Sequence, residues 1–270
     1  MQNLVMAAII LAVFAYLDQI FVSTMMIGIN PPILGGIVAG LVFGDVGLGL
    51  YIGTILTLMS LGLYTYGGTK VPNYFLGSIL GTAVAALMLR QNPGMAQGEA
   101  INVAIATIAV PASMLGMALS SIVTMVCTTM VQWMDAKAGK GDAKGFDFVF
   151  YLTLLLTNGP QVAIPVFLGV IMGDKIVSMI NIFPESLMGI FGIAGGLMPL
   201  LGFGLLLTMI DIKRYWPYLL GGYFLISYTG TSVIGLSIAA SAIVGVSYMA
   251  AKDKKQETGL QGGEKIENEK

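Results

Sequence analysis

Between Asn30 and Asn73 the chain reads NPPILGGIVAGLVFGDVGLGLYIGTILTLMSLGLYTYGGTKVPN, with one acid (Asp45), one base (Lys70) and glycine throughout. A helix pair in water would need a charged face, and this stretch has none. A plain membrane span would have no use for so many breakers and hydroxyls. An apolar background carrying Gly, Pro, Thr and a few ionisable groups is how substrate sites at membrane depth are built, from helices that break partway across. The stretch predicts a transporter component.

Composition supports the bilayer as main solvent. Charged residues make up 10% of the chain and hydrophobic residues 56%, against roughly 25% charge in a soluble domain. Mean hydropathy is +0.87. The net charge of −1 argues against nucleic acid, which calls for a basic surface. A single cysteine, Cys127, excludes an internal disulfide and any Cys-based metal cluster. Histidine is absent, so a His metal site, a His general base and a phosphohistidine are all excluded within these residues. No cofactor, metal or catalytic residue is expected.

Spans need roughly twenty apolar residues. Asn3–Phe21 qualifies, interrupted near its end by Asp18 and Gln19, and it lacks the basic flank and cleavage site of a secretory signal. Ile33–Tyr66 is too long for one span and is divided around Asp45. Tyr74–Leu89 stops at Arg90, and Ile101–Met130 should kink at Pro111. Gln132–Asp147, with three lysines and three aspartates, reads as a water-exposed connection or an amphipathic helix. Apolar sequence resumes at Phe148–Met172 and Glu185–Ile210. Tyr215–Ala250, without a charge, is long for one span and short for two. The predicted fold is an all-α polytopic membrane protein of about seven to nine transmembrane or re-entrant segments with Gly/Pro-broken helices. It extends over residues 1–250, followed by a disordered polar tail at 251–270.

Ionisable groups inside a membrane are costly and are functional candidates by default. Asp18 is either a substrate hydroxyl acceptor or an interfacial cap. Asp45 suits the N-terminus of the next helix. Thr54, Thr57 and Ser60, three apart, form a hydroxyl stripe that either bonds its own helix carbonyls or lines a polar path. In TYGGTKVPN, Gly67-Gly68 and Pro72 interrupt the helix and present Thr69, Lys70 and Asn73 from irregular backbone. In TNGPQVAIPVF two prolines flank Gln161, which supplies both donors and acceptors. Neutral amides and hydroxyls with few carboxylates suit a neutral polyhydroxyl ligand better than an inorganic ion.

These residues resemble the membrane-embedded IIC component of the mannose/fructose/sorbose-type sugar phosphotransferase system. The matching pieces are the Asn30–Asn73 stretch, PQVAIP, IFPESLMGIFGIAGGLMPLLGFGLLLTMI and YWPYLLGGYFL, in family order. The resemblance implies a multi-pass permease of the bacterial cell membrane for a mannose, fructose, sorbose or N-acetylated hexosamine class of sugar. It implies a IID membrane partner, cytoplasmic IIA and IIB phosphocarriers and oligomers, and it places the phosphohistidines on the partners rather than here. Substrate-binding candidates are Asp18, Gln19, Thr54, Thr57, Tyr66, Lys70, Asn73 and Gln161. Many relatives carry an acid or amide where Thr57 stands, Asp for Asn73 and Arg for Gln161, so the charge of the site is reduced. An ion-coupled secondary transporter of a small polar solute is the alternative, with Asp18 and Asp45 as its available carboxylates. A membrane scaffold or receptor without transport is a third reading.

Overall fold

A computed structural model describes residues 2–25, 32–61, 70–230 and 234–249, together with Pro31, Leu63 and Ser232. The tail expected at 251–270 lies outside the described residues, as does Tyr66. Among the described residues regular structure is helical throughout, and they divide into two compact units at Met209/Ile210.

In the first unit α1 (Gln2–Met25) is followed by α2 (Pro32–Phe43) and α3 (Val46–Ser60). These two have 12 and 15 residues, about 18 and 22 Å at 1.5 Å per residue, short of a hydrocarbon core of about 30 Å. They form a hairpin. Its tip is Gly44, left-handed at φ 86°, then Asp45, whose carboxylate accepts from the Leu48 backbone N–H at 2.9 Å. The capping role read from the sequence for Asp45 is the one it fills. The hairpin closes because Gly36 and Gly49 meet backbone to backbone: a methyl at Gly49 would overlap the Gly36 carbonyl oxygen. Without a hydrophobic drive between helices in lipid, such close approach is what holds them.

Helix α4 (Tyr74–Gln91) is the centre of this unit, with Phe75, Leu76, Ile79, Val84 and Met88 all buried. Asn73 caps it, its side-chain oxygen accepting from the Leu76 N–H at 3.1 Å. Gly77 and Gly81 lie against Ala109, which belongs to the next long rod. That rod, Gln97–Ala138, consists of α5 (Gln97–Ala104), a π-helical turn (Ile105–Ala109) and α6 (Val110–Ala138). The break expected at Pro111 is absorbed without interrupting the helix. The Val110 N–H reaches back to the Ile105 carbonyl, so the wide turn resets the register just before a residue that has no N–H to give.

The same device recurs. Helix α7 (Ala143–Thr153), a π-helical turn (Leu154–Asn158) and α8 (Pro160–Ile171) make one continuous rod, Ala143–Ile171. Pro160 takes the first position of α8, where a missing N–H is least costly. The widened turn frees the Leu155 carbonyl to accept from the Tyr16 hydroxyl at 3.0 Å, and only a glycine at 159 leaves room for the Tyr16 ring. Sequence alone read Gln132–Asp147 as a water-exposed connection or an amphipathic helix, with no turn located inside it. Instead α6 runs on to Ala138, and a tight turn leads to α7 at Ala143. Lys137 and Asp142 close that turn with an ion pair at 3.1 Å, and the Asp142 carboxylate also caps α7 at Gly145 N–H. Helices α9 (Gly173–Ile180) and α10 (Glu185–Met209) complete the unit.

The second unit contains α11 (Ile212–Thr229) and α12 (Ile234–Met249). The long uncharged region at its core is therefore two helices, parted at Gly230, which is left-handed at φ 65°. Among the described residues five helices are long and apolar enough to cross a membrane, and three shorter apolar ones accompany them.

Candidate functional site

Six chain segments converge on a cavity of about 540 Å³, within the range of small-molecule sites. Its walls are Gln19 of α1, Pro31–Pro32 at the start of α2, and Thr57, Ser60, Leu61 and Leu63 at the end of α3. Val71–Phe75 at the start of α4, Ser120 of α6 and Gln161 of α8 complete them. Gln161 lies ten residues from the end of its rod at Ile171 and eighteen from its start at Ala143, roughly 15 and 27 Å along the axis. The cavity therefore joins the interior of two long apolar rods, at Ser120 and Gln161, to the non-helical residues at the ends of α2, α3 and α4.

The polar wall residues Thr57, Ser60 and Asn73 have definable duties. The Thr57 hydroxyl donates to the Gly53 carbonyl at 2.8 Å and accepts from the Ile33 N–H at 3.0 Å. Pro31, the residue preceding α2, offers no side-chain cap, so Thr57 satisfies an orphan donor of that helix from across the hairpin. One lone pair of its oxygen is left for a ligand. Ser60 donates to the Thr57 carbonyl at 2.7 Å. Asn73 spends its side-chain carbonyl on the α4 cap and its backbone N–H on the Ser113 carbonyl. What it can offer the cavity is its NH2 donor. Gln161 is the complement: its side-chain oxygen is buried with no hydrogen-bond partner among the described residues. An unpaired buried acceptor costs about 1–3 kcal/mol, and a ligand hydroxyl would relieve it.

Asp18, adjacent to Gln19, is not among the wall residues and is 4% exposed. Neither carboxylate oxygen has a hydrogen-bond partner among the described residues. Ionisable groups inside a span are rare and costly, and no hydrogen bond among the described residues offsets the burial of this one.

Of the sequence candidates, Gln19, Thr57, Asn73 and Gln161 meet in one cavity, and Asp18 lies beside one of them. Thr54 does not join them: it is exposed and donates to its own helix at the Leu50 carbonyl, 2.7 Å. Lys70 is exposed and is not among the wall residues. Tyr74 is one polar wall residue that sequence reasoning passed over, and Ser120 is another. It sits in an ordinary serine pair of an apolar rod, and nothing in its local sequence marks it. Among the described residues there is no cluster of His, Cys, Asp and Glu that could hold a metal.

Residues 4–246 match the family described as PTS system sorbose-specific IIC component. A sorbose-specific EIIC component from Lacticaseibacillus casei is 26% identical over 86% of this chain and 82% of its own length. The N-acetylgalactosamine permease IIC component 1 of Escherichia coli K12 is 23% identical over 95% of this chain and 91% of its own. In three dimensions the chain is similar to a solved membrane protein, with a TM-score of 0.72 at 20% identity, over 90% of this chain and 95% of that one. That likeness shows a shared fold. The family match takes in both rods, the α2–α3 hairpin and every wall residue of the cavity, and it settles which lineage built them. This chain belongs to the sorbose-specific IIC family of the phosphotransferase system and is a membrane component of a sugar transporter of that system.

Proposed function

We propose that the cavity between the open end of the α2–α3 hairpin and α8 is the sugar site of this transporter component. The observation that carries the reading is the meeting of three side-chain amides, Gln19, Asn73 and Gln161, with the Thr57 and Ser60 hydroxyls around one space. A sugar presents alternating hydroxyl donors and acceptors on a neutral frame. The free Gln161 oxygen accepts from one hydroxyl and the Asn73 NH2 donates to another. Gln19, with both functions, reads a third. The buried Asp18 supplies a charge-assisted acceptor once movement of the α2–α3 end brings ligand and carboxylate together. Lys70 precedes the wall residue Val71 in sequence, and it and Tyr66 complete the proposed set, which leaves out the exposed Thr54.

Without histidine these residues carry no phosphohistidine, which supports a reading in which partner subunits carry the phosphate. A phosphorylated IIB partner hands phosphate to the sugar on the cytoplasmic side and traps it there, and IIA supplies IIB. A IID membrane subunit assembles with this chain into an oligomer. Relatives are named for sorbose and for N-acetylgalactosamine, and this chain takes a hexose of that broad class.

The test is uptake of labelled sugars by cells lacking, then expressing, this chain with its partner subunits, scored for phosphorylated product. Sugar phosphate that requires phosphoenolpyruvate and falls about tenfold in apparent affinity in Gln161→Leu, as loss of about 1.4 kcal/mol requires, is the expected result. Free sugar accumulating without phosphoenolpyruvate would overturn it.

A further inference from the structure

A second cavity, of about 520 Å³, lies at the opposite end of α4. Phe75 and Leu87 border the two cavities, twelve residues apart, or about 18 Å along the helix. The start of α1, the tip of the α2–α3 hairpin, the end of α4 and the start of α9 enclose it. Its inner wall is apolar, from Ala7, Ile10, Val42 and Leu87, and its rim carries Arg90 and Asp174.

Three features place this rim at the level where hydrocarbon meets headgroups. The α1 span begins at Leu4, the α4 span ends at Gln91 and the long Ala143–Ile171 span ends three residues before Asp174. Arg90 is held there by two contacts. One guanidinium nitrogen donates to the Phe43 carbonyl at 2.6 Å, satisfying the end of α2, and the guanidinium lies 5.5 Å from the centre of the Phe43 ring. Its other N–H groups remain to be offered. Asp174 accepts from the Gln91 side chain on one oxygen, at 3.1 Å, which leaves the second. The two opposite charges rim one cavity and yet form no ion pair with each other: among the described residues the ion pair is Lys137–Asp142.

A separated cation and anion above an apolar slot match a zwitterion that carries a tail. We propose that this cavity binds one aminophospholipid of the phosphatidylethanolamine type. Its phosphate lies on Arg90, its ammonium on Asp174, and an acyl chain runs down past Ala7, Ile10 and Leu87. Charge selects this headgroup over its competitors. A phosphatidylglycerol brings a net negative charge against the Asp174 carboxylate. A phosphatidylcholine has no N–H to donate to that carboxylate. The site is separate from the proposed sugar cavity, and its occupancy does not depend on which sugar is carried.

The experiment is lipid retention by the full chain, purified with its membrane partners and passed through nanodiscs of matched-chain phosphatidylethanolamine, phosphatidylglycerol or phosphatidylcholine, then counted by native mass spectrometry. Retention of phosphatidylethanolamine about fivefold above the other two is expected, equivalent to about 1 kcal/mol. Asp174→Asn should erase its advantage over phosphatidylcholine, and Ile10→Trp, which fills the slot from a half-exposed position, should displace lipid of every headgroup. Because Arg90 also caps α2, these two variants carry the test if Arg90→Gln fails to assemble. Equal retention of the three lipids, a preference unchanged in Asp174→Asn, or a cavity occupied by a partner subunit with no lipid retained would each overturn the proposal.

Discussion

Helices α4 and α10 are both apolar and both long enough to cross a membrane, and their surroundings are opposite. In the most apolar window of α4, 78% of residues are buried, against 11% for α10, although α10 is the more apolar of the two by sequence. In water that order would be perverse. In a bilayer it is expected, since lipid tails solvate Leu and Ile as well as protein does. What draws α4 inward is small residues and hydroxyls: Gly77 and Gly81 against the π turn, and Ser78 against Gly35. Helix α10 has only one such stripe. Its Gly195 lies on the Asn102 carbonyl of α5 and its Gly202 on the Leu58 carbonyl of α3, while Ile193, Leu197, Leu200 and Phe203 face outward. Hydropathy finds a span, and small residues decide which side of it meets protein.

That contrast can be broken most severely at the backbone contacts. Gly49→Leu puts a side chain into the Gly36 carbonyl, and with no rotamer to escape to, the loss should be about 3 kcal/mol or more. Folded protein should disappear from detergent gel filtration. Ile79→Ala, at a fully buried position of α4, should lower stability by about 2 kcal/mol, read as a melting shift, because the cavity cost survives even where the transfer term is weak. Tyr16→Phe removes the hydroxyl from the Leu155 carbonyl and should cost about 0.6 kcal/mol, the usual worth of an interhelical hydrogen bond in a membrane. Leu200→Ala on the outer face of α10 should move the melting temperature within the range of about 0.5 kcal/mol. A loss as large as that of Ile79→Ala would mean protein, not lipid, covers that face.

The smallest effect concerns the water-exposed turn. The Gly145 N–H, the Lys137 side chain and the nearby lysine charges hold the Asp142 carboxyl below its ordinary value of 3.8. Its folded pKa is depressed, so the support it gives the turn is complete above that ordinary value and fades as pH falls through the lowered one. Hydrogen exchange at the Gly145 amide should stay constant from neutral pH down to about 4 and rise selectively below it, after allowance for intrinsic rates. Asp142→Asn should abolish that acid step.

Span positions were legible in the sequence because apolar runs, Asp45, Arg90 and the charged turn near Lys137 punctuate it unmistakably. Boundaries came within a few residues for most helices. The π turns were not legible. Pro111 and Pro160 announce a missing N–H, but whether the chain answers with a kink or a wider turn depends on Ala109 fitting between Gly77 and Gly81, and on Tyr16 fitting over Gly159. The candidate site was legible as chemistry and not as geometry. Gln19, Thr57, Asn73 and Gln161 stood out as polar groups in apolar surroundings, whereas Ser120 looked like any other helix serine. Thr54 and Thr57 are three residues apart on one stripe, and the fold sends one outward and the other to the hairpin mouth.

By itself, then, the sequence determined the solvent, the helical class and the absence of a phosphohistidine among these residues, since composition and residue type suffice for those. Only the tertiary structure decided which polar residues share a space. Gln19 and Gln161 are separated by most of the first unit in sequence, and they face one cavity because Tyr16 and Gly159 lock α1 to α8. It likewise set Arg90 and Asp174 on one cavity without an ion pair between them, as each is tethered to a different neighbour. Local rules place residues on helices; the close approach of small residues between helices determines what those residues meet.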